Sequence, residues 1–328
     1  MKRDLSARAI VAFGRYGVVL ALVLLFAFGA LRYDNFLGVF NLLTFLRYNS
    51  MFALVGLGMA FTIMTGGIDL SVGAVVALAS VVSAMASPHG MWPGLLEGVA
   101  AGLVVGIVNG LVITRLAIMP FITTLSTMLA ARGMALLFAG NQSVSVSYES
   151  GFMSVGTDDF LAIPIPVWIA LGAYAAGSVL LNFTSFGRTV LAIGGNEDAT
   201  RLMGLPVDRV KFLVYVLSGV LAGLAGVILA AQFGAGQPIE GTGWELFAIS
   251  AVVVGGTLLT GGEGSVGTTL AGVLLLGLIF NILNFENGRG WFSLSAYWQS
   301  VIRGLFLLVV VVLQAKLSAR TGRSVSRL

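Results

Sequence analysis

No cysteine occurs in the 328 residues, so disulfides, thiol catalysis and thiolate metal sites are excluded. The single histidine, His89, sits in a Pro88-His89-Gly90 turn, the place of a loop residue rather than of a metal ligand. An intramembrane hydrolase needs a nucleophile and a base, and neither cysteine nor a buried histidine is there to serve. No G-x-x-x-x-G-K-S/T sequence is present, and none of Lys2, Lys211 and Lys316 follows a glycine, so the chain lacks a P-loop for nucleotide. Charge is scarce too: Asp, Glu, Lys and Arg make up 10% of the residues, while 58% are hydrophobic. A water-soluble core does not need so much apolar surface, and the chain reads as an all-α, polytopic membrane protein whose first partner is the lipid bilayer. Its net charge of +4 comes from ends and loops, not from a stripe that would bind nucleic acid.

Apolar runs fall near residues 16–31, 51–65, 70–86, 94–113, 121–139, 164–183, 212–232, 246–260, 266–285 and 297–315. They predict about ten transmembrane helices in one transmembrane domain, residues 1–328. Pro93, Pro120 and Pro164 stand where helices would begin. Basic residues before the first run raise the question of a signal peptide, but Ala27-Phe28-Gly29 is a weak cleavage site, and we expect a retained span. Ten spans place both termini, the 114–120 loop and residues 184–211 on one side, which then collects 13 of the 18 Lys and Arg residues. The other side has Arg32, Arg47 and Arg289, along with Asp34, Glu149, Asp158, Asp159, Glu240, Glu245 and Glu286. By the positive-inside rule the basic side is cytoplasmic. Arg132 and Arg303 fall inside spans. A charge in a span calls for a partner, so Arg132 is expected to be a structural clamp or a path residue unless it snorkels to an interface.

Glycine, at 44 residues, is abundant. Gly94, Gly98, Gly102, Gly106 and Gly110 form a stripe on one face of the fourth span, and Gly219, Gly223 and Gly226 repeat it in the seventh. Such stripes let helices approach closely in lipid. There is also an internal repeat. Thr65-Gly66-Gly67-Ile68-Asp69-Leu70-Ser71-Val72-Gly73 resembles Thr260-Gly261-Gly262-Glu263-Gly264-Ser265-Val266-Gly267, each copy following a short apolar run. Asp69 and Glu263 occupy equivalent points and are expected to cap the helices that follow. The span count puts both turns on the cytoplasmic side, whereas an inverted repeat would set one at another depth.

The longest charged island, residues 187–211, holds Arg188, Glu197, Asp198, Arg201, Asp208, Arg209 and Lys211. Within it Asn196 can cap a short helix, with Glu197 and Asp198 at its positive end; Ala199, Arg201 and Leu202 continue it. Gly204 fits the left-handed residue that stops the helix, and Pro206 prevents its resumption. So short a helix is unstable alone in water, so it docks on a soluble partner or lies on lipid.

GGIDLSVG (66–73), PFITTLSTM (120–128), Arg132-Gly133, AIGGNEDATRLMGLPVDRVK (192–211), ELFAISAVVVGGTLLTGGEGSVGTTLAG (245–272) and GLIFNIL (277–283) together resemble the permease of a carbohydrate ABC importer, in the ribose and branched-chain amino acid superfamily. The resemblance spans nearly the whole chain. It implies a type II-like permease of about ten spans in a bacterial inner membrane, working as a homodimer or heterodimer with a second permease. Two ABC ATPase subunits would bind the ATP and Mg, leaving this chain non-catalytic and without a cofactor, and a periplasmic sugar-binding protein would deliver the cargo. By resemblance, Asn196–Gly204 is the ATPase-coupling helix. Asn284-Phe285, Tyr297-Trp298 and Leu313-Gln314 are similar to galactofuranose-type permeases.

A sugar needs hydrogen-bonding groups for its hydroxyls and a flat apolar surface for its ring. Residues expected near outward span ends, and so on the substrate path, are Gln232, Phe233, Gln237, Trp244, Asn281, Asn284, Phe285, Trp291 and Trp298, with Arg132. Tryptophans also form interfacial belts, and asparagines also bond helices to one another. The competing reading is an ion-coupled secondary transporter, which needs a membrane-buried carboxylate; only Glu97 lies within a span.

Overall fold

The computed structural model describes residues 2–288 and, further on, residues 298, 301, 302, 304, 305 and 308; side chains are described from Gly17. Trp291, Arg303 and nearly all of the tenth apolar run lie outside the described residues. The protein is mainly helical: α1 (Lys2–Arg32), α2 (Val39–Met64), α3 (Val72–Ala86), α4 (Met91–Arg115), α5 (Pro120–Phe138), α6 (Ser154–Thr157), α7 (Ile165–Phe183), α8 (Ser185–Gly195), α9 (Glu197–Leu202), α10 (Val207–Phe233), α11 (Trp244–Val254) and α12 (Val266–Gly288).

Among the described residues, seven helices (α2, α3 with the turn to His89, α4, α5, α7, α10 and α12) are long and apolar enough to cross a membrane, and Gly17–Arg32 of α1 and α11 are shorter apolar helices. The chain is a multi-pass membrane protein. Eleven residues of α11 rise only about 16 Å, roughly half a hydrocarbon core.

Central helix α10 packs against α2, α3 and α4, α3 packs also against α4 and α5, and the two glycine stripes meet between α4 and α10. A Cβ at Gly102 would fall on the Gly219 carbonyl oxygen and within 2.7 Å of the Gly223 Cα. Outward faces of α4 and α5 show Leu96, Val104, Leu129 and Leu137, the side chains a lipid-facing surface requires.

Loops gather at two ends. At one, Val146 N–H donates to the Gly234 carbonyl (3.1 Å), Val144–Ser145 pairs as an antiparallel strand with Ala235–Gly236, Ser147 N–H donates to Ser87 Oγ (2.8 Å), and Arg47 pairs with Asp159 (2.7 Å). At the other end lie both TGG turns and α8–α9. The turns touch each other: Gly262 N–H donates to the Met64 carbonyl (3.0 Å). The two turns therefore lie side by side at one depth of the bundle.

Two sequence expectations are corrected. The run at 51–65 is not a short span, because α2 begins at Val39; Asn41, Thr44, Arg47, Tyr48 and Asn49 interrupt its hydropathy without interrupting its helix. Nor are Asp69 and Glu263 equivalent. Asp69 is buried, accepting from Ser71 N–H (3.0 Å), Ser71 Oγ (2.6 Å) and Ser218 Oγ (2.8 Å), whereas Glu263 is exposed. Asp69 closes a turn before α3 and ties it to α10; the helix itself is capped by no side chain.

Candidate functional site

Two regions carry the expected site residues, and the first is the basic end. Helix α8, capped by Thr184, buries Val190 and Ile193 and delivers the chain to Asn196. Asn196 Oδ1 accepts from Ala199 N–H (2.8 Å) and so starts α9, with Glu197 and Asp198 in its first turn. The stop is a Schellman arrangement. Gly204 has φ +77°, its N–H donates to the Arg201 carbonyl (3.0 Å), and Leu205 N–H donates to the Thr200 carbonyl (3.3 Å).

Four charges of this segment pair among themselves. Arg201 donates to both oxygens of Asp208 (2.8 and 3.1 Å) and reaches Glu197 (3.4 Å), which also accepts from Lys211 (3.0 Å). Hydrogen bonding to Asp208, above all, holds the Arg201 guanidinium above its ordinary pKa. Sequence reasoning missed these partners, because the Gly204–Pro206 reversal brings α10 back beside α9. Beside the exposed Asp198 and Arg201, the segment also turns two apolar side chains outward: Leu202 is 89% and Met203 67% exposed.

Behind α9, three backbone segments meet without side chains between them. A Cβ at Gly194, near the end of α8, would fall on the Met64 carbonyl oxygen and the Gly262 nitrogen, and one at Gly261 would lie 2.7 Å from Gly66 N. Gly66 and Gly261 have φ +78° and +82°, the left-handed region that lets each turn reverse tightly. The short helix is therefore seated, through Gly194–Asn196, on the inner ends of α2, α11 and α12.

The second region is a groove of about 290 Å³ between the halves of α2 and α12 remote from the TGG turns, with α11 behind. Asn281 and Asn284 both line it, beside Thr44, Tyr48 and Asn49 of α2. Trp244 does not: it is buried in the core and stacks on Phe52, ring centroids 4.3 Å apart, so it backs the wall. Phe285 is likewise turned away, against Tyr33 and Phe36. Gln232 and Phe233 end α10 beside α6, and Gln237 N–H donates to Ser80 Oγ (3.1 Å); none of these three lines the groove. Trp298 is exposed. Arg132 is a clamp, its Nη1 donating to the Pro238 and Glu240 carbonyls (2.6 and 2.7 Å), which pins the 234–243 loop to α5.

Comparison with known proteins gives the family. The L-arabinose transport system permease protein AraH of Escherichia coli is 40% identical over 307 residues, 92% of each chain. The ribose import permease protein RbsC of Bacillus subtilis is 42% identical over 308 residues, 93% of this chain and 94% of that one. The L-arabinose ABC transporter permease protein AraH of Azospirillum brasilense is 37% identical over 300 residues, 91% and 86%. No solved structure matches. Residues 41–311 match the family described as branched-chain amino acid transport system / permease component, and the chain belongs to that family of ABC-importer permease subunits, which are not themselves enzymes.

Proposed function

We propose that this chain forms the translocation path of an ATP-driven importer for a neutral monosaccharide, in a bacterial inner membrane with both termini cytoplasmic. Two ABC ATPase subunits supply ATP and Mg, a periplasmic binding protein delivers the sugar, and a second permease, the same chain or a different one, completes the path. Relatives that carry L-arabinose and ribose support the cargo class. A galactofuranose-type cargo has only Asn284-Phe285, Tyr297-Trp298 and Leu313-Gln314 behind it.

The observation that carries the reading is the α9 segment: capped by Asn196, stopped at Gly204, tied to α10 by ion pairs, and exposing Leu202 and Met203. Apolar side chains on a short, rigid helix are what a groove on a soluble subunit would bury. The glycine contacts at Gly194 would then pass motion of that subunit to α2, α11 and α12. An ion-coupled mechanism is not favoured. Glu97 is exposed near the outer end of α4, and both oxygens of Asp69 are occupied by serines.

Co-purification tests it. The chain, expressed with the ATPase of its own transport system, should hold that ATPase through detergent extraction, and Leu202→Asp should release it without lowering the amount of inserted permease. Uptake driven by an ion gradient in the purified chain alone would overturn the assignment.

A further inference from the structure

The groove between α2 and α12 gathers more polar side chains than the lipid-facing surface around it. Elsewhere most outward positions of α1, α4 and α5 are apolar, as with Leu24, Val104 and Leu129, with Glu97 and Ser126 standing singly. Here Thr44, Tyr48 and Asn284 are exposed, and Asn281 and Asn41 are bonded to each other (3.0 Å) across the two helices. Polar side chains at membrane depth face protein or water, not hydrocarbon. Three of the five polar positions that break the hydropathy of α2, Thr44, Tyr48 and Asn49, line this groove.

Asn49 supplies the second observation. Its Nδ2 donates to the Phe45 carbonyl (2.8 Å), while its buried Oδ1 has no partner among the described residues. Its amide lies over Gly277, where a Cβ would collide with it. An unpaired buried acceptor kept in place by a glycine is costly unless something donates to it in a working state. Phe52, Phe247 and Phe280 form the floor, with centroids 4.3 Å apart for the first pair and 6.3 Å for the second. No charged side chain is among the residues that line the groove.

We infer that this groove is where the cargo passes, and that it is built for a single neutral sugar ring. Asn49 Oδ1 accepts from a sugar hydroxyl, the Asn284 amide and the Tyr48 hydroxyl serve its other hydroxyls, and the phenylalanine floor takes the apolar ring face. About 290 Å³ is at the lower end of small-molecule sites, which begin at roughly 300 Å³. The uncharged lining separates a sugar from an amino acid, whose ammonium and carboxylate need charged or strongly polarised partners. The inference rests on the sugar reading above and adds the residues.

The cysteine-free chain provides the test. Thr44→Cys and Asn284→Cys, each expressed with the importer's own ATPase and binding protein in sealed cells, are exposed to a charged methanethiosulfonate, with and without D-ribose or L-arabinose. Both should be modified, and the transported sugar should slow the modification at least severalfold. Leu24→Cys, on the lipid face of α1, should not react. Asn49→Ala should lower sugar uptake about tenfold, the size of one good hydrogen bond, with the ATPase still bound. If the unmodified chain imports a sugar but neither cysteine reacts, or sugar changes neither rate, the groove faces lipid or a second copy and the inference is wrong. If the unmodified chain imports no monosaccharide at all, the sugar reading falls, and this inference with it.

Discussion

Gly204 is asked for a backbone conformation that few other residues supply. Its φ of +77° closes α9, and a valine there meets a left-handed penalty of roughly 1–2 kcal/mol before any contact is counted. Gly204→Val should insert normally, since it touches no span, yet misplace Leu205 and the start of α10. Arg201→Glu acts differently. It puts a third carboxylate beside Glu197 and Asp208 where a cation now joins them, and α9 should splay from α10, most at low ionic strength. Uptake and stimulated ATP hydrolysis should both be lost in the double variant; full transport at normal expression would remove the coupling role of α9. The cap and the stop were legible in the sequence because both are local, residues 196 to 206 sufficing. The partners of Arg201 were not, since no single-residue signal says that the chain doubles back after Pro206.

Among the elements, α4 and α10 were the most legible and α2 the least. Glycine every fourth residue has one consequence in lipid, close backbone approach, and the stripes did find each other. Gly102→Val would drive a branched side chain into the Gly219 carbonyl, and overpacking of this kind costs about 1–3 kcal/mol; we expect a lower midpoint of thermal aggregation in detergent and reduced yield. Gly194→Val should leave α4–α10 packing intact and break the seat of α9, so that ATPase stays bound and hydrolyses ATP without sugar uptake. Equal loss of ATPase binding would place Gly194 in docking instead of transmission. The start of α2 was hidden because a hydropathy window treats Asn41, Thr44 and Asn49 as loop residues, whereas a helix that borders a polar groove needs them. The equivalence of the two TGG turns was legible as contact but not as chemistry: Asp69 found Ser218 on α10, and Glu263 faces solvent.

For the molecule as a whole, the orientation we propose rests on charge, and the structure says only which elements share an end. Charge distribution assigns 13 of 18 basic residues to one side, and the structure collects α8, α9 and both TGG turns at one end and the 139–164 and 234–243 loops at the other. If the basic end is cytoplasmic, α9 meets the ATPase, while the α2–α12 groove opens in the outer half, where a binding protein would release its cargo. Reversing the molecule would put the exposed Leu202–Met203 tip outside, with no ATPase to cover it, and the groove would open to the cytoplasm first. Single cysteines at Asp198 and at Glu149 separate the two cases, since the chain offers no competing thiol. A membrane-impermeant maleimide added to sealed cells should label the Glu149→Cys chain at once and the Asp198→Cys chain only after the membrane is opened. Labelling of Asp198→Cys in sealed cells would invert the topology, and would remove ATPase coupling at α9 and sugar entry at the groove together.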